Sequence, residues 1–444
     1  MRGVFVSILL LIFCGAVKAA DWRLATEKAD YIHRSVKQVT DVIVHDIYSP
    51  PVASRIYAYV CIAGYEAGIF NQPDYISLAG QLHQLSAGSQ PNNESEISPT
   101  IASVQAILSV AKTMVISEEK IEEFNKQILN ELKNLGVPVA VYDQSVAYGR
   151  QVAKHIIEWS VKDQYKETRA LGRFAVSDVP GTWVPTPPSY KKAIEPYWNK
   201  MRTFLIDSAQ QFKPIPPPIF STQKTSVFYK NALAVKNAVT KISTEQSEIA
   251  NFWDCNPFKM NIKGHVMFAT KKISPGGHWI NITQQACKQV KAGVSQTLEA
   301  YAIISITLAD CFISCWDEKY RSNVVRPETY INQYMDADWV PLLQTPPFPE
   351  YTSGHSVVSA AAAVILTKLF GNNFKYTDST ELEFGLPPRK YLSFTSAAKE
   401  AAISRFYGGI HYMPAITNGL IEGKKIGLFM AEKLKTRVVN PKAK

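Results

Sequence analysis

Three short stretches in the C-terminal part of the chain carry the residue types that chemistry on an anion needs. Lys319 and Arg326 stand seven apart in EKYRSNVVRP. At about 100° per residue that is about two helical turns, so the spacing predicts both cations on one helix face, with Pro327 stopping the helix just after Arg326. In PPFPEYTSGHS (346–356), followed by VVSAAAAVILTKLF, Thr352 or Ser353 reads as the cap of a helix that starts near Gly354. The free N–H groups and positive dipole end of such a helix form an oxyanion site, Gly354 lets backbone approach a ligand, and His355 stands at the edge. In SRFYGGIHY (404–412), Arg405 ends one helix, Gly408 and Gly409 break it, and His411 follows the turn. Separately these are a basic helix face, a capped helix and a helical corner. Together they supply three cations, a backbone cradle and two imidazoles, a set suited to a tetrahedral oxyanion.

Such a site needs a scaffold, and helical periodicity dominates the chain. The apolar spacing predicts helices over 23–47, 52–69, 99–114, 118–135, 140–165, 224–253, 292–324, 355–370, 395–406 and 415–435, hence an all-α helical bundle. Ser117, followed by Glu118, Glu119 and Glu122, marks a capped helix start. Residues 84–99 are polar and turn-rich and read as an exposed loop. Residues 180–218 hold nine prolines and several aromatics. So few backbone donors exclude a helix or a central strand, and the aromatics predict an irregular segment packed over a surface. With 444 residues, 46% hydrophobic and 19% charged, the composition is globular and excludes a disordered or disulfide-dense chain. The net charge of +10 is scattered rather than blocked into runs, which argues against a nucleic-acid partner.

The first residues predict export. Arg2, an apolar stretch from Val4 to Phe13, and Val17 and Ala19 at the −3 and −1 positions predict a signal peptide over 1–19, and a periplasmic or extracellular protein. The expected division is then an N-terminal helical region over 20–220, carrying the Pro-rich segment, and a C-terminal catalytic region over 221–444 with the oxyanion site in 316–415. The segment from Val294 to Trp316 is apolar but contains Glu299 and Asp310, so it reads as a buried helix rather than a membrane span. The mature protein is expected to be soluble, of unassigned oligomeric state. Cys61, Cys255, Cys287, Cys311 and Cys315 match no metal-binding spacing and read as structural. His278, in PGGHWIN, is placed on a Gly-Gly turn and read as structural, with the site entrance as its alternative. His45 is expected to cap carbonyls at a helix end. His33, His83, His155 and His265 show no partner at a recognisable spacing.

In order, the chain carries K-x6-R-P, S-G-H and S-R-x5-H. This resembles the superfamily that joins vanadium-dependent haloperoxidases with type 2 phosphatidic acid phosphatases and bacterial acid phosphatases, and the match covers residues 316–415. The resemblance implies that Lys319, Arg326, Ser353, Gly354 and Arg405 bind the oxyanion. It makes His411 the axial ligand to vanadium in a peroxidase, or the phosphate-accepting nucleophile in a phosphatase, and His355 the general acid–base. The cofactor implied is one vanadate, without haem or flavin. Two positions depart from the family pattern. Thr352 replaces the usual proline before Ser-Gly-His, and Ala415 replaces the acidic residue four after the last histidine, whose carboxylate orients the imidazole. A backbone carbonyl or another acid, such as Glu422, is the expected substitute.

Vanadate and phosphate share shape and charge, so the oxyanion residues leave peroxidase and phosphatase open. Trp316 and Phe348 stand where the chain resembles fungal vanadium chloroperoxidases (CWDEK and PPFPxYxSGH), whose aromatics wall the halide side. That likeness, together with the chain length, favours a haloperoxidase that takes hydrogen peroxide and halide to hypohalous acid, with Lys319 polarising peroxide. The alternatives are a secreted acid phosphatase acting on a phosphate ester, and a non-catalytic oxyanion-binding module.

Overall fold

The computed structural model describes residues 21–91, 96–257, 259–263 and 266–438, so the expected signal peptide and His265 lie outside the described residues. The first part of the chain folds into α1 (Trp22–Thr26), α2 (Ala29–His45), α3 (Pro50–Gly68), α4 (Pro99–Met114), α5 (Glu118–Lys133), α6 (Val139–Ser160) and α7 (Tyr165–Ala170). After the Pro-rich segment come α8 (Val227–Thr240), α9 (Thr244–Phe252), α10 (Pro275–Gln289), α11 (Val294–Ser322) and α12 (Pro327–Tyr334). The chain ends in α13 (Gly354–Phe370), α14 (Phe394–Tyr407) and α15 (Met413–Lys433). Two small antiparallel pairs, β1 (Lys259–Lys263) with β2 (Val266–Thr270) and β3 (Tyr376–Asp378) with β4 (Arg389–Tyr391), are appended to the helices. The fold is all-α, with a main apolar core running from Ile32 in α2 to Leu434 beyond α15 and smaller apolar clusters beside it.

Several predicted boundaries shift for identifiable reasons. The stretch expected as one helix over 224–253 breaks at Ser243, whose capping box with Gln246 starts α9. The helix expected to run to 324 stops at Ser322, because Asn323 turns left-handed (φ 46°). Pro327 therefore opens a new helix, α12, instead of ending the previous one, and Arg326 is its N-cap residue. Lys319 and Arg326 accordingly do not share a helix face. The Gly-Gly turn expected at His278 is instead the first turn of α10, with Pro275 at its start. Ser117 precedes α5, but its hydroxyl donates to Asp46 Oδ1 (2.6 Å) rather than capping the helix. His45 likewise meets Asp46 (2.9 Å) in place of carbonyls. His33, His83 and His155 find partners distant in sequence, at Tyr301, Thr203 and Ser86.

The long helix α11 is the axis of the structure. It is long and apolar enough to cross a bilayer, yet its most apolar stretch is wholly buried inside the protein. Asp310, fully buried at its middle, accepts from the N–H groups of Phe204, Leu205 and Ile206 (2.7–3.0 Å) and so straps the Pro-rich segment onto the bundle. Burial holds its carboxyl at about 6, with the three N–H groups pulling the other way. The same segment pairs Thr182 with Val324, donates from Trp183 N–H to Asn323 O (2.9 Å), and buries Trp183 and Trp198. It is irregular in backbone and well packed.

The close approach of α15 to α13 sets the start of α13. A Cβ on Gly423 would lie 2.0 Å from Val357 O, and one on Gly419 would lie 3.0 Å from Ser353 O, so only glycine allows this contact. Next to it, Glu422 accepts from Ser314 Oγ on α11 (2.9 Å) and from Thr352 Oγ1 (2.8 Å), tying three segments together beneath the cap of α13.

Asp310→Ala leaves three buried N–H groups without an acceptor, and should cost at least about 3 kcal/mol by denaturant unfolding. Burial raises the Glu422 carboxyl from 4.5 to about 7. A folded-state pKa above the unfolded one means that its contribution to stability is complete below about 4.5 and is lost as pH rises through about 7. Thermal unfolding of Glu422→Gln should therefore match wild type at acidic pH and gain on it above neutrality.

Candidate active site

The three motif stretches converge at one end of α11. Lys319 and Arg326 are fully buried and Arg405 is 3% exposed. Each cation is held mainly by backbone carbonyls. Lys319 Nζ donates to the carbonyls of Pro349 (3.0 Å), Glu350 (3.1 Å) and Thr352 (2.5 Å), which engages all three of its hydrogens. Arg326 donates from Nε to Phe348 O (2.8 Å) and from Nη1 to Ile410 O (2.8 Å). Arg405, in the last turn of α14, donates to Trp253 O and has Asp254 Oδ1 at 4.0 Å. Burial lowers the Lys319 ammonium to about 8 and the Arg326 guanidinium to about 10, the like charge of Arg326 and of Arg405 respectively adding to each. Arg326 Nη2 and Arg405 Nε are buried with no hydrogen-bond partner among the described residues.

The cradle forms where Ser353 caps α13, its Oγ accepting from Ser356 N (3.4 Å). The Ser353 N–H donates to Ala415 O (3.1 Å), so the position that lacks the family's carboxylate contributes its carbonyl to the cap. Of the first-turn donors, those of Gly354 and His355 show no partner among the described residues and so remain for an anion. The peptide between Tyr351 and Thr352 is cis.

Both histidines are neutral bases in this setting. Burial, then the nearby cations, pushes each imidazole well below its ordinary value. His411 Nδ1 donates to Glu350 Oε1 (2.9 Å), an oxygen that also accepts from Tyr412 N (2.9 Å). That partner puts the proton on Nδ1 and leaves the Nε2 lone pair facing Arg326 Nη1 at 3.1 Å. His355 Nε2 faces Arg405 Nη1 at 3.5 Å and so also presents a lone pair. The acid that orients His411 is therefore Glu350, which the sequence reading did not identify. The suggested substitute, Glu422, is occupied by Ser314 and Thr352. The only signal for Glu350 was its place inside the PPFPEYTSGH stretch, since it is 61 residues from His411.

A cavity of about 340 Å³ opens over this cluster, bordered by Gly354, His355, Arg405 and His411 on its polar side. Trp316, Phe348, Phe312 and Ile410 supply apolar lining to the same cavity. Trp316 and Phe348 lie 4.9 Å apart, and the Phe348 ring sits 5.1 Å from Lys319 Nζ and 5.0 Å from the Arg326 guanidinium carbon. The Trp316 indole is fixed by donation to Ile194 O (3.2 Å), which also accepts from Tyr320 (2.5 Å), so the Pro-rich segment positions the aromatic wall. Lys319, Arg326 and Ser353 lie beneath the cavity surface. His278 is fully buried and is not among the residues that line the cavity.

Comparison with known proteins identifies the family and the fold. Residues 299–440 match a family model described as the VCPO second helical-bundle domain. Among solved structures, a bacterial vanadium-dependent iodoperoxidase is 47% identical, with a TM-score of 0.87 over 92% of this chain and 97% of that one. The holo form of a bacterial vanadium-dependent chloroperoxidase is 16% identical, with a TM-score of 0.66 over 92% and 98% of the two chains. An apo-type bacterial vanadium-dependent chloroperoxidase structure is 15% identical, at 0.65 over 87% and 94%. These last two show likeness of fold alone. No curated protein matches the chain. Identity of 47% over nearly the full length of both chains, on a shared all-α fold, places this chain in the vanadium haloperoxidase superfamily.

Proposed function

We propose that the protein is a vanadate-dependent haloperoxidase that oxidises halide with hydrogen peroxide to hypohalous acid. The observation that carries this reading is the pair of buried, unpartnered guanidinium nitrogens, Arg326 Nη2 and Arg405 Nε, beside the His411 Nε2 lone pair. Buried charged donors without acceptors are costly, and a tetrahedral oxyanion bound there accepts from both and from the α13 N-terminus. Vanadate has that shape and charge, and His411 Nε2, on exchanging its contact with Arg326 Nη1, is the imidazole atom that would ligate it. When bound, vanadate supplies a Lewis-acidic centre that activates peroxide without changing oxidation state.

The chain's own residues do the rest. Lys319, with its hydrogens on three carbonyls, holds the 349–352 backbone and contributes positive potential to the bound oxygens. Glu350 fixes the His411 tautomer and raises its basicity as a ligand. His355, neutral and lining the cavity, takes a proton from incoming peroxide and returns one to the oxygen that leaves as water. The apolar wall of Trp316 and Phe348 excludes water from the halide approach. A dry wall of polarisable rings favours the halide that gives up hydration most easily, so iodide is the expected first substrate. The 47%-identical relative is itself an iodoperoxidase. We also place the protein outside the cytoplasm, on the signal-like residues 1–19.

A second reading has one observation in its favour: the Glu350–His411 pair supplies the carboxylate that a nucleophilic histidine needs in a phosphatase. The aromatic wall favours the first reading, because a phosphomonoester is strongly hydrated.

The deciding experiment measures oxidation of iodide, bromide and chloride by the purified protein with peroxide, with and without orthovanadate. It runs beside p-nitrophenyl phosphate hydrolysis by vanadate-free protein. Vanadate-dependent iodide oxidation that falls to background in His411→Ala is the expected result. Ester hydrolysis without halide oxidation would transfer the protein to the phosphatases, and silence in both assays would leave an oxyanion-binding module. Loss of the Glu350 carboxylate should weaken vanadate binding by about 10- to 100-fold in Glu350→Ala, with Glu422→Gln staying within about threefold of wild type. Both are read as vanadate dissociation constants on reconstitution of the apoprotein.

A further inference from the structure

Behind the cavity wall, at the junction of α9, α10 and the β3–β4 lobe, three side chains with metal-ligating atoms face one another. Cys255 follows α9, His278 lies in the first turns of α10, and Glu381 belongs to the short turn Thr380–Phe384. Cys255 Sγ is 3.5 Å from His278 Nδ1, Glu381 Oε1 is 3.3 Å from the same nitrogen, and all three ligand atoms lie within 4.8 Å of one another. Bonds of about 2.0–2.3 Å in a tetrahedral zinc site put neighbouring ligand atoms about 3.3–3.8 Å apart, so small movements would seat all three on one cation, with water as the fourth ligand.

We propose that Cys255, His278 and Glu381 form a structural site for a thiophilic divalent cation, zinc being the best match to the donor set. Two further features support it independently of the spacing. First, both carboxylate oxygens of Glu381 are buried without a hydrogen-bond partner among the described residues, the His278 Nδ1 contact at 3.3 Å being an ion-pair distance for Oε1 alone. A buried carboxylate left in that state is expensive, and a cation resolves it. Second, the His278 ring is already oriented as a ligand. Its Nε2 donates to Asp378 Oδ2 (2.8 Å), which turns Nδ1 toward Cys255 and Glu381, where a cation would take the place of its proton. Asp378 is itself held by Thr380 N (2.9 Å), and Trp253 stacks on the ring at 4.4 Å. Thiolate, imidazole and carboxylate together favour zinc over magnesium or calcium, which prefer oxygen throughout.

The position of the site gives it a consequence. Cys255 borders the active-site cavity, and the carbonyl of Trp253, two residues earlier, accepts from Arg405. Metal bound to Cys255 and His278 pins that turn to α10 and so holds the acceptor that fixes Arg405.

The test uses the full-length protein, stripped of vanadate and metals, and titrated with Zn²⁺ and Co²⁺. Binding of about one equivalent of Zn²⁺ per chain is expected, together with a thiolate-to-cobalt charge-transfer band and a rise in the unfolding temperature. Cys255→Ser should abolish the band, Glu381→Gln should lower the stoichiometry below about 0.2, and His411→Ala should keep the full equivalent. Folded wild-type protein that binds no Zn²⁺ would overturn the proposal and leave His278 as an imidazolium between Asp378 and Glu381. An unchanged cobalt band in Cys255→Ser would overturn it as well. Should either variant fail to fold, chelation of the zinc-loaded wild type decides: an unfolding temperature insensitive to chelator refutes the site.

Discussion

Three cations buried around one point repel one another, and of the nearby carboxylates Glu350, Glu422 and Asp254, burial pushes the first two up to about 7, so they neutralise the cations incompletely. The site meets this constraint with carbonyl oxygens. Those of Trp253, Phe348, Pro349, Glu350, Thr352 and Ile410 each accept from Lys319, Arg326 or Arg405. Carbonyl dipoles stabilise a charge without cancelling it, so the pocket stays positive, and its lysine and arginine are pushed down by burial and mutual repulsion. An anion is the missing partner. The irregular backbone of 346–353 exists to present so many carbonyls inward, which a helix or strand cannot do because its carbonyls are already paired.

Presenting loop carbonyls to buried cations requires the surrounding packing to be rigid, and the scaffold provides this by close contact. The glycines of α15 bring it against α13 and fix where the cradle begins. Glu422 ties Thr352 to α11, and the Pro-rich segment covers the aromatic side of the site through Asp310 and Ile194. Proline suits that covering strand. A chain with few N–H groups leaves few donors unsatisfied when it is buried outside regular structure, and its remaining N–H groups at 204–206 all find one carboxylate.

Neutral histidines follow from the same field. A positive, desolvated pocket keeps His355 and His411 unprotonated, so that one can ligate and the other can accept a proton. Which nitrogen carries the proton is decided one step further out, by Glu350 for His411. Farther from the pocket, Asp378 orients the His278 ring in a similar way, through its contact with Nε2.

The types and order of the charged and imidazole groups, the cap at Ser353, the glycine break after Arg405 and the predominance of helix were all legible in the sequence, because each depends on neighbours within a few residues. What tertiary structure decided lies at longer range. Arg326 left the face of Lys319 because a single left-handed Asn323 ended α11, a conformation that spacing alone does not announce. Glu350 took the place of the acid missing at Ala415 across 61 residues, and Cys255, His278 and Glu381 met from three separate elements. Periodicity reports which face of an element is buried, and local motifs report how it begins and ends. Which buried polar groups satisfy one another is settled only when the elements pack, since each donor must then find its acceptor in the space that remains.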